Sequence, residues 1–330
     1  MIILADLHLK EDSAETIFNE VLPGIFQASI DTQDKSVVIL GDVFHFRYKV
    51  DARLLNTLND LFKKCAEWGI ELRILPGNHD QYDVNGRNVL EVFGDTPHVT
   101  VYNKPTWDYD GLWIPYRKNP IELLEALKTP NPSIARFPNK NLFLHHGIRG
   151  AWMNDSQQDV EGIPLESLGT NNWNVILCGH YHKHQKIGNN FWYVGSPYQT
   201  TANEAGQDKG YVLFNGTDVT FVKKHWGPRI HRFEMKAGDT LDLTGVNPRD
   251  DVRIKTIGPG ADKVLTALGQ ELMAKGITKH VITPEMEVTQ TRLVVPDHAS
   301  LNQYAQAYVN QSDTILDKIE LMKTYERIIQ

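Results

Sequence analysis

Short apolar runs of strand length recur through the first 200 residues, and each ends in polar residues able to hold a metal ion. Ile2-Ile3-Leu4 leads into Ala5-Asp6-Leu7-His8. Ser36-Val37-Val38-Ile39-Leu40 leads into Gly41-Asp42, with His45 close behind. Leu72-Arg73-Ile74-Leu75 leads into Pro76-Gly77-Asn78-His79-Asp80, and Asn141-Leu142-Phe143-Leu144 into His145-His146-Gly147. Asn174-Val175-Ile176-Leu177-Cys178 leads into Gly179-His180-Tyr181-His182. Runs this continuous mark strands buried on both faces, and α/β folds bind ligands beyond such strand ends.

Helical periods fill the gaps. Residues 13–30 carry Ile17, Val21, Ile25 and Ile30 on one face, a repeat broken at Pro23-Gly24. Residues 51–68 carry Leu54, Leu55, Leu58, Leu61 and Phe62, and Gly69 supplies a stop. From 184 to 224 the pattern turns to short strands with Gly turns, which predicts mixed strand pairing. Gly227-Pro228 marks a boundary. Beyond it, strand-like pieces at 229–236, 251–257 and 279–288 and a helical piece after Gly258-Pro259-Gly260 predict a small α/β appendage. The final stretch reads as two helices, the second capped by Ser312 with Ile315, Ile319, Met322 and Ile329 in its stripe. The expected divisions are 1–228, 229–297 and 298–330.

Composition changes the picture little. The chain has 330 residues, 41% hydrophobic and 23% charged, which is ordinary for a globular protein. No apolar run approaches the ~20 residues of a membrane helix. The apolar start reads as a first strand, not a signal peptide, and Cys65 and Cys178 read as buried free thiols. The expected location is therefore the cytoplasm. A net charge of −7 argues against autonomous, non-specific grip on nucleic acid, yet a local basic groove can coexist with an acidic total.

The candidate chemistry is the donor set Asp6, His8, Asp42, Asn78, His145, His180 and His182. Carboxylate, amide and imidazole donors suit divalent manganese, iron or zinc, and the lack of cysteine argues against a structural zinc site. So many donors exceed one tetrahedral ion but suffice for two with a bridging carboxylate. Two ions about 3.5–4 Å apart clamp a phosphate ester and activate water as hydroxide for in-line attack. His145 is chosen over His146 as the first polar residue after its strand. Singly, each motif has an ordinary reading as a turn, a surface histidine or a core histidine; the order of all five is what carries weight.

That order, D-x-H, GD, GNHD, H, GHxH, resembles the calcineurin-like metallophosphoesterase superfamily over residues 6–182. The resemblance implies a four-layer αββα sandwich. It implies that Asp42 bridges the ions, that one takes Asp6, His8 and His182, and that the other takes Asn78, His145 and His180. It makes His79 a phosphate-contacting catalytic residue and not a ligand. Gly41-Asp42-Val43-Phe44-His45 further resembles SbcD-type DNA repair nucleases, where the second histidine, here His45, serves nuclease chemistry. The segment Tyr193–Thr200 with Lys209-Gly210-Tyr211 resembles the close of that nuclease domain, particularly in compact phage versions. The remaining residues then imply an α/β capping domain and C-terminal helices that dock on an SbcC-type coiled-coil ATPase.

The resulting expectation is an exonuclease acting on duplex DNA ends, with Mn²⁺ favoured over Mg²⁺, Fe²⁺ or Zn²⁺. It works as a homodimer within a heterotetramer, in a bacterial cytoplasm or phage-infected cell, with no membrane partner. Arg47, Lys49, Arg53, Arg87, Arg117, Arg149, Lys183, Lys223 and Lys224 are the basic candidates for tracking a phosphate backbone. A small-substrate phosphodiesterase and a non-catalytic binding subunit are the alternatives.

Overall fold

Each apolar run forms a strand. β1 (Ile2–Leu4), β2 (Ser36–Leu40), β3 (Glu71–Leu75) and β4 (Val99–Val101) lie parallel in that order. The computed structural model that shows this describes residues 1–285 apart from 84, 237 and 259, together with Gln303 and Ala307. A second sheet takes β5 (Thr106–Trp107), β6 (Gly111–Ile114), β7 (Asn141–His145), β8 (Ile176–Gly179), β9 (Gln185–Ile187) and β10 (Phe191–Tyr193). Its order is β5-β6-β7-β8-β10-β9. β11 (Lys209–Phe214) and β12 (Val219–Lys224) return to the first sheet, where β11 runs antiparallel to β1 with Leu213 opposite Ile2. Both six-stranded sheets are therefore mixed, as the Gly-turned strands predict.

Alternation within the runs sets the layers. Ile3, Val38, Leu40, Phe143 and Leu177 meet between the two sheets. Ile2, Leu4, Val37 and Ile39 face the other way, onto α1 (Glu11–Thr16), α2 (Leu22–Asp31) and α3 (Ala52–Trp68). On the far side, Leu142 and Leu144 meet Leu123 and Ala126 of α4 (Pro120–Ala126). The result is a helix–sheet–sheet–helix sandwich. α3 starts on Asp51, whose carboxylate accepts from the Arg53 amide at 2.7 Å, and stops at Gly69 with φ 64°. Its Leu58, Phe62 and Cys65 are buried, and Leu54, Leu55 and Leu61 pack half-buried on the same core. Burying Phe62 alone stabilises the sandwich by roughly 1.5–3 kcal/mol. Both cysteines are free and buried.

Pro23-Gly24 does not break the first helical segment. The chain stays helical from Glu11 to Asp31, passing through a π turn at Ile17–Val21. Pro23 cannot donate and its ring would meet the carbonyl four residues back in a regular helix, so the wider π turn directly before it keeps the path continuous. Gly24 is needed for space, because a Cβ there would lie 2.8 Å from the Trp226 ring.

β13 (Ile230–Lys236), β14 (Asp251–Ile257) and β15 (His280–Pro284) form a separate parallel sheet. With α5 (Leu265–Ala274) it encloses its own core of Val252, Ile254, Leu268, Leu272 and Ile277. It joins the sandwich at a few points. Gln199 Oε1 accepts from the Ile230 amide at 2.6 Å, and Glu20 accepts from the Gly227 amide at 2.8 Å while pairing with Arg249 at 2.5 Å. The expectations for residues 286–297 and for the helical tail, including Ser312 and its apolar stripe, lie outside the described residues. No helix among the described residues is long and apolar enough to cross a membrane.

Candidate metal centre

The chain leaves the carboxyl ends of β1 and β2 as two polar strings that stay zipped together. The Asp6 amide donates to Gly41 O at 3.0 Å and the His8 amide to Asp42 O at 2.9 Å. Side chains tie in the other strand ends. Asp42 Oδ1 accepts from the His79 amide at 2.8 Å, and the Asp6 carboxylate accepts from the His180 amide at 3.0 Å. Buried Asp80 accepts from the Phe44 and Gly77 amides at 3.0 and 2.9 Å, locking the turns after β2 and β3.

This zipping forces unusual backbone. Asp6, His8, Asp42 and His180 all sit at left-handed φ, of 56°, 48°, 52° and 99°. Each such non-glycine residue costs about 1–3 kcal/mol and persists only where its surroundings over-determine it. Two glycines make room for His145 among these turns. A Cβ on Gly179 would strike Leu40 O, and one on Gly41, itself at φ 85°, would strike the His145 ring.

The donor atoms converge. His180 Nδ1 and His145 Nε2 lie 2.8 and 3.1 Å from Asn78 Oδ1. His8 Nε2 and His182 Nε2 lie 3.0 Å apart. Asp42 touches both clusters, with Oδ1 3.4 Å from His145 Nε2 and Oδ2 3.7 Å from His8 Nε2. Asp6, His8 and His182 form one group able to hold an ion, and Asp42, His145 and His180 another. The outer ring nitrogens fix the tautomers. His145 Nδ1 donates to Leu40 O at 2.8 Å, and His182 Nδ1 to Glu204 Oε1 at 2.8 Å. Once neutral, imidazoles so held present Nε2 lone pairs inward, towards carboxylate and amide oxygens that also only accept. Acceptors gathered at this spacing fit a divalent cation between them.

The electrostatics follow from burial among like groups. Burial lifts Asp6 to about 6 although His145 and His182 oppose it. Burial would raise Asp42 too, but the facing His145 holds it well below the usual carboxylate range. Burial would lower His145, yet Asp42 and Asp6 hold it at about 9. His180, buried and beside His145, falls to about 3.

His45 and His79 stand at the open side. His45 Nδ1 is 3.3 Å from His8 Nδ1, and its ring stacks on His79 at 5.8 Å. His79 Nδ1 donates to His45 O at 2.6 Å. His146 points elsewhere, with Nε2 3.0 Å from Arg117 O and its ring stacked on Tyr116. A cleft of about 520 Å³ opens over these residues and is closed on its far side by Asp251, Arg253 and Lys279 of the third sheet.

None of the basic candidates lines this cleft. Its cationic lining is Lys10, Arg253 and Lys279, none of which stands out in the sequence. Lys223 and Lys224 line a neighbouring hollow of about 290 Å³. Arg47, Lys49, Arg87 and Arg149 are exposed. Arg53 pairs with Asp51 and Glu11, Lys183 with Asp155, and Lys223 with Asp208, while half-buried Arg117 donates to Tyr116 O. Glu204 is likewise invisible in the sequence, where it reads as one more surface carboxylate.

A model of the calcineurin-like phosphoesterase family matches residues 1–239. The chain belongs to this family. Calcineurin-like phosphoesterases are hydrolases that use a dinuclear metal site, and the two groups of donors described above could hold such ions. Among relatives, the DNA double-strand break repair protein Mre11 of Methanosarcina acetivorans is 24% identical over 92% of this chain and 53% of its own length. Uncharacterized protein R555 of Acanthamoeba polyphaga mimivirus is 20% identical over 64% of this chain and 17% of its own. This phosphoesterase chain thus spans about half the length of the first relative and less of the second. A dimetal phosphatase structure from Danio rerio overlays 64% of this chain and 90% of its own at a TM-score of 0.38 and 10% identity. The Pseudomonas putida nuclease MPE overlays 67% and 86% at 0.24 and 13%. At these scores neither overlay bears on function.

Proposed function

We propose that this phosphoesterase is a metal-dependent DNA exonuclease, the nuclease subunit of an SbcCD-type end-processing complex. The observation that carries the reading is the second histidine pair at the metal centre: His45 stacks on His79 and reaches His8, on the wall of an open cleft. The relative named for DNA double-strand break repair points the same way.

Asp6, His8 and His182 would hold one ion and Asn78, His145 and His180 the other, with Asp42 within reach of both groups of donors. When bound, the ions supply positive charge for the phosphoryl oxygens and acidify the attacking water. The protein does the rest. His79 has Nδ1–H engaged by the His45 carbonyl, so any proton it offers the leaving oxygen is carried at Nε2. His45 braces His79 and His8 at once. Lys10, Arg253 and Lys279 place cations where a phosphate backbone crosses the cleft. A coiled-coil ATPase bound through the C-terminal residues, with the chain as a homodimer, adds grip that an acidic protein does not supply alone. Manganese suits the mixed carboxylate, amide and imidazole donors.

The test is hydrolysis of linear duplex DNA with Mn²⁺, with and without a partner ATPase. No hydrolysis in either arm at full metal occupancy rejects the nuclease reading. Faster turnover of cyclic nucleotides than of DNA replaces it with a small-substrate phosphodiesterase. His79→Ala should lower turnover by about 10²–10⁴-fold with metal content unchanged; loss of both ions would refute its assigned role.

A further inference from the structure

The segment after β10 contains a buried ion pair that the proposed chemistry does not use. Lys209, only 4% exposed at the start of β11, pairs with Glu204 Oε2 at 2.7 Å. The same ammonium donates to His182 O at 2.8 Å and to Ser196 Oγ at 2.9 Å. Glu204, 3% exposed in the turn Ala202–Glu204, receives His182 Nδ1–H on Oε1 at 2.8 Å. Oε1 also accepts from the hydroxyls of Thr200 at 2.5 Å and Thr201 at 3.0 Å. Oε2 accepts from the Thr200 amide at 3.1 Å. Tyr198, in the same segment, donates to Leu7 O at 2.7 Å and so ties it to the turn carrying Asp6 and His8.

A buried lysine–glutamate pair is costly unless further hydrogen bonds complete it, and here they do. An ionised carboxylate only accepts, so the His182 contact fixes the proton on Nδ1 and turns the Nε2 lone pair towards Asp6 and His8. Lys209 pairs with that carboxylate and grips His182 from its backbone side. Among the described residues no such lysine–glutamate pair backs the other group, where His145 leans on a backbone carbonyl.

We propose that Glu204, held by Lys209, is the positioning residue for one ion only, the ion of Asp6, His8 and His182. The inference rests on the metal-holding role given to those residues above. It assigns a role to the buried polar groups of Ser196, Thr200 and Lys209.

The experiment is Mn²⁺ titration of the full chain by calorimetry, with the melting temperature of the metal-free protein measured alongside. The wild type should bind two ions; failure to bind any overturns the metal reading itself, independently of Glu204. Glu204→Gln should weaken one ion by ~10–100-fold and leave the other unchanged. In a His182→Ala background the same substitution should add no further loss, because both act on one ligand. Equal weakening of both ions, or additive losses, would make Glu204 merely structural and overturn the proposal. Should Glu204→Gln fail to fold, Thr200→Val removes a single hydroxyl from the same carboxylate. It should weaken the same single ion by a few-fold; an unchanged titration counts against the proposal.

Discussion

The two ends of the sandwich both bury polar side chains, yet they solve opposite problems. At the amino ends of the strands, Arg73 donates to Asp108 at 3.1 Å, to Asp110 at 2.6 Å and to Ser36 at 2.6 Å, and lies over the Trp113 ring. Tyr102 completes the set by donating to Asp108. Donors and acceptors match, so this cluster is finished without outside help. At the carboxyl ends, Asp6, Asp42 and Asn78 Oδ1 are acceptors, and the inward nitrogens of His145 and His182 join them once those imidazoles are neutral. A self-matched, half-buried cluster stabilises a fold; an unmatched and more deeply buried one calls for a ligand.

The comparison breaks most visibly under substitution at each end. Asp42→Asn removes charge from the unmatched end. It should reduce phosphodiester turnover per folded molecule on the order of 10³-fold, about 4 kcal/mol, in steady-state assays; unchanged turnover would show that Asp42 serves the fold alone. Arg73→Met should do the reverse. It strands two acidic neighbours and destabilises by about 3–5 kcal/mol in denaturant melts, with turnover per folded molecule unchanged.

Chelation gives an intermediate effect. Ions that bind only the folded state at 100 times their dissociation constant stabilise by about 2.7 kcal/mol, so a chelator should lower the melting temperature of the wild type but not of Asp42→Asn. The smallest effect belongs to Arg249–Glu20, chemically like the Arg73 cluster but largely exposed. Arg249→Ala should cost about 0–1 kcal/mol. Burial pushes Glu20 up, but Arg249 and the Gly227 amide hold it below the ordinary carboxylate value. Its contribution is thus complete above the unfolded value of 4.5 and is lost as pH falls through the lower folded value. Acid titration of the melting temperature should show this loss in the wild type and a smaller one in the Arg249→Ala variant, where the Gly227 amide alone remains.

How legible this was in the sequence depends on how local each feature is. The strands carrying the centre are legible, because runs such as Ser36–Leu40 are apolar on both faces and only doubly buried strands need that. The turn residues are legible as types, since Asn78-His79 after a buried strand has few structural uses. Glu204 is not, because a carboxylate in a short turn looks the same whether it meets solvent or a buried lysine. Lys10, Arg253 and Lys279 face the cleft only because of where the third sheet docks, which no local pattern encodes. Pro23 misleads for a similar reason: the rule that proline ends a helix holds for a regular turn, and the π turn before it is set by packing rather than by composition.

The carboxylate that opens the centre is made long before the amide it waits for. Asp6 accepts from the backbone of His180, 174 residues later in the chain. At typical synthesis rates that gap is roughly 9–35 s on the ribosome. β1 also remains without its partner β11 over that interval, an apolar strand with one open edge. A nascent chain that stalls before β8 holds Asp6, His8, Asp42, Asn78 and His145 but lacks the His180 amide from which Asp6 accepts and the imidazoles of His180 and His182. The donor set of both groups is thereby complete only once His182 has been added.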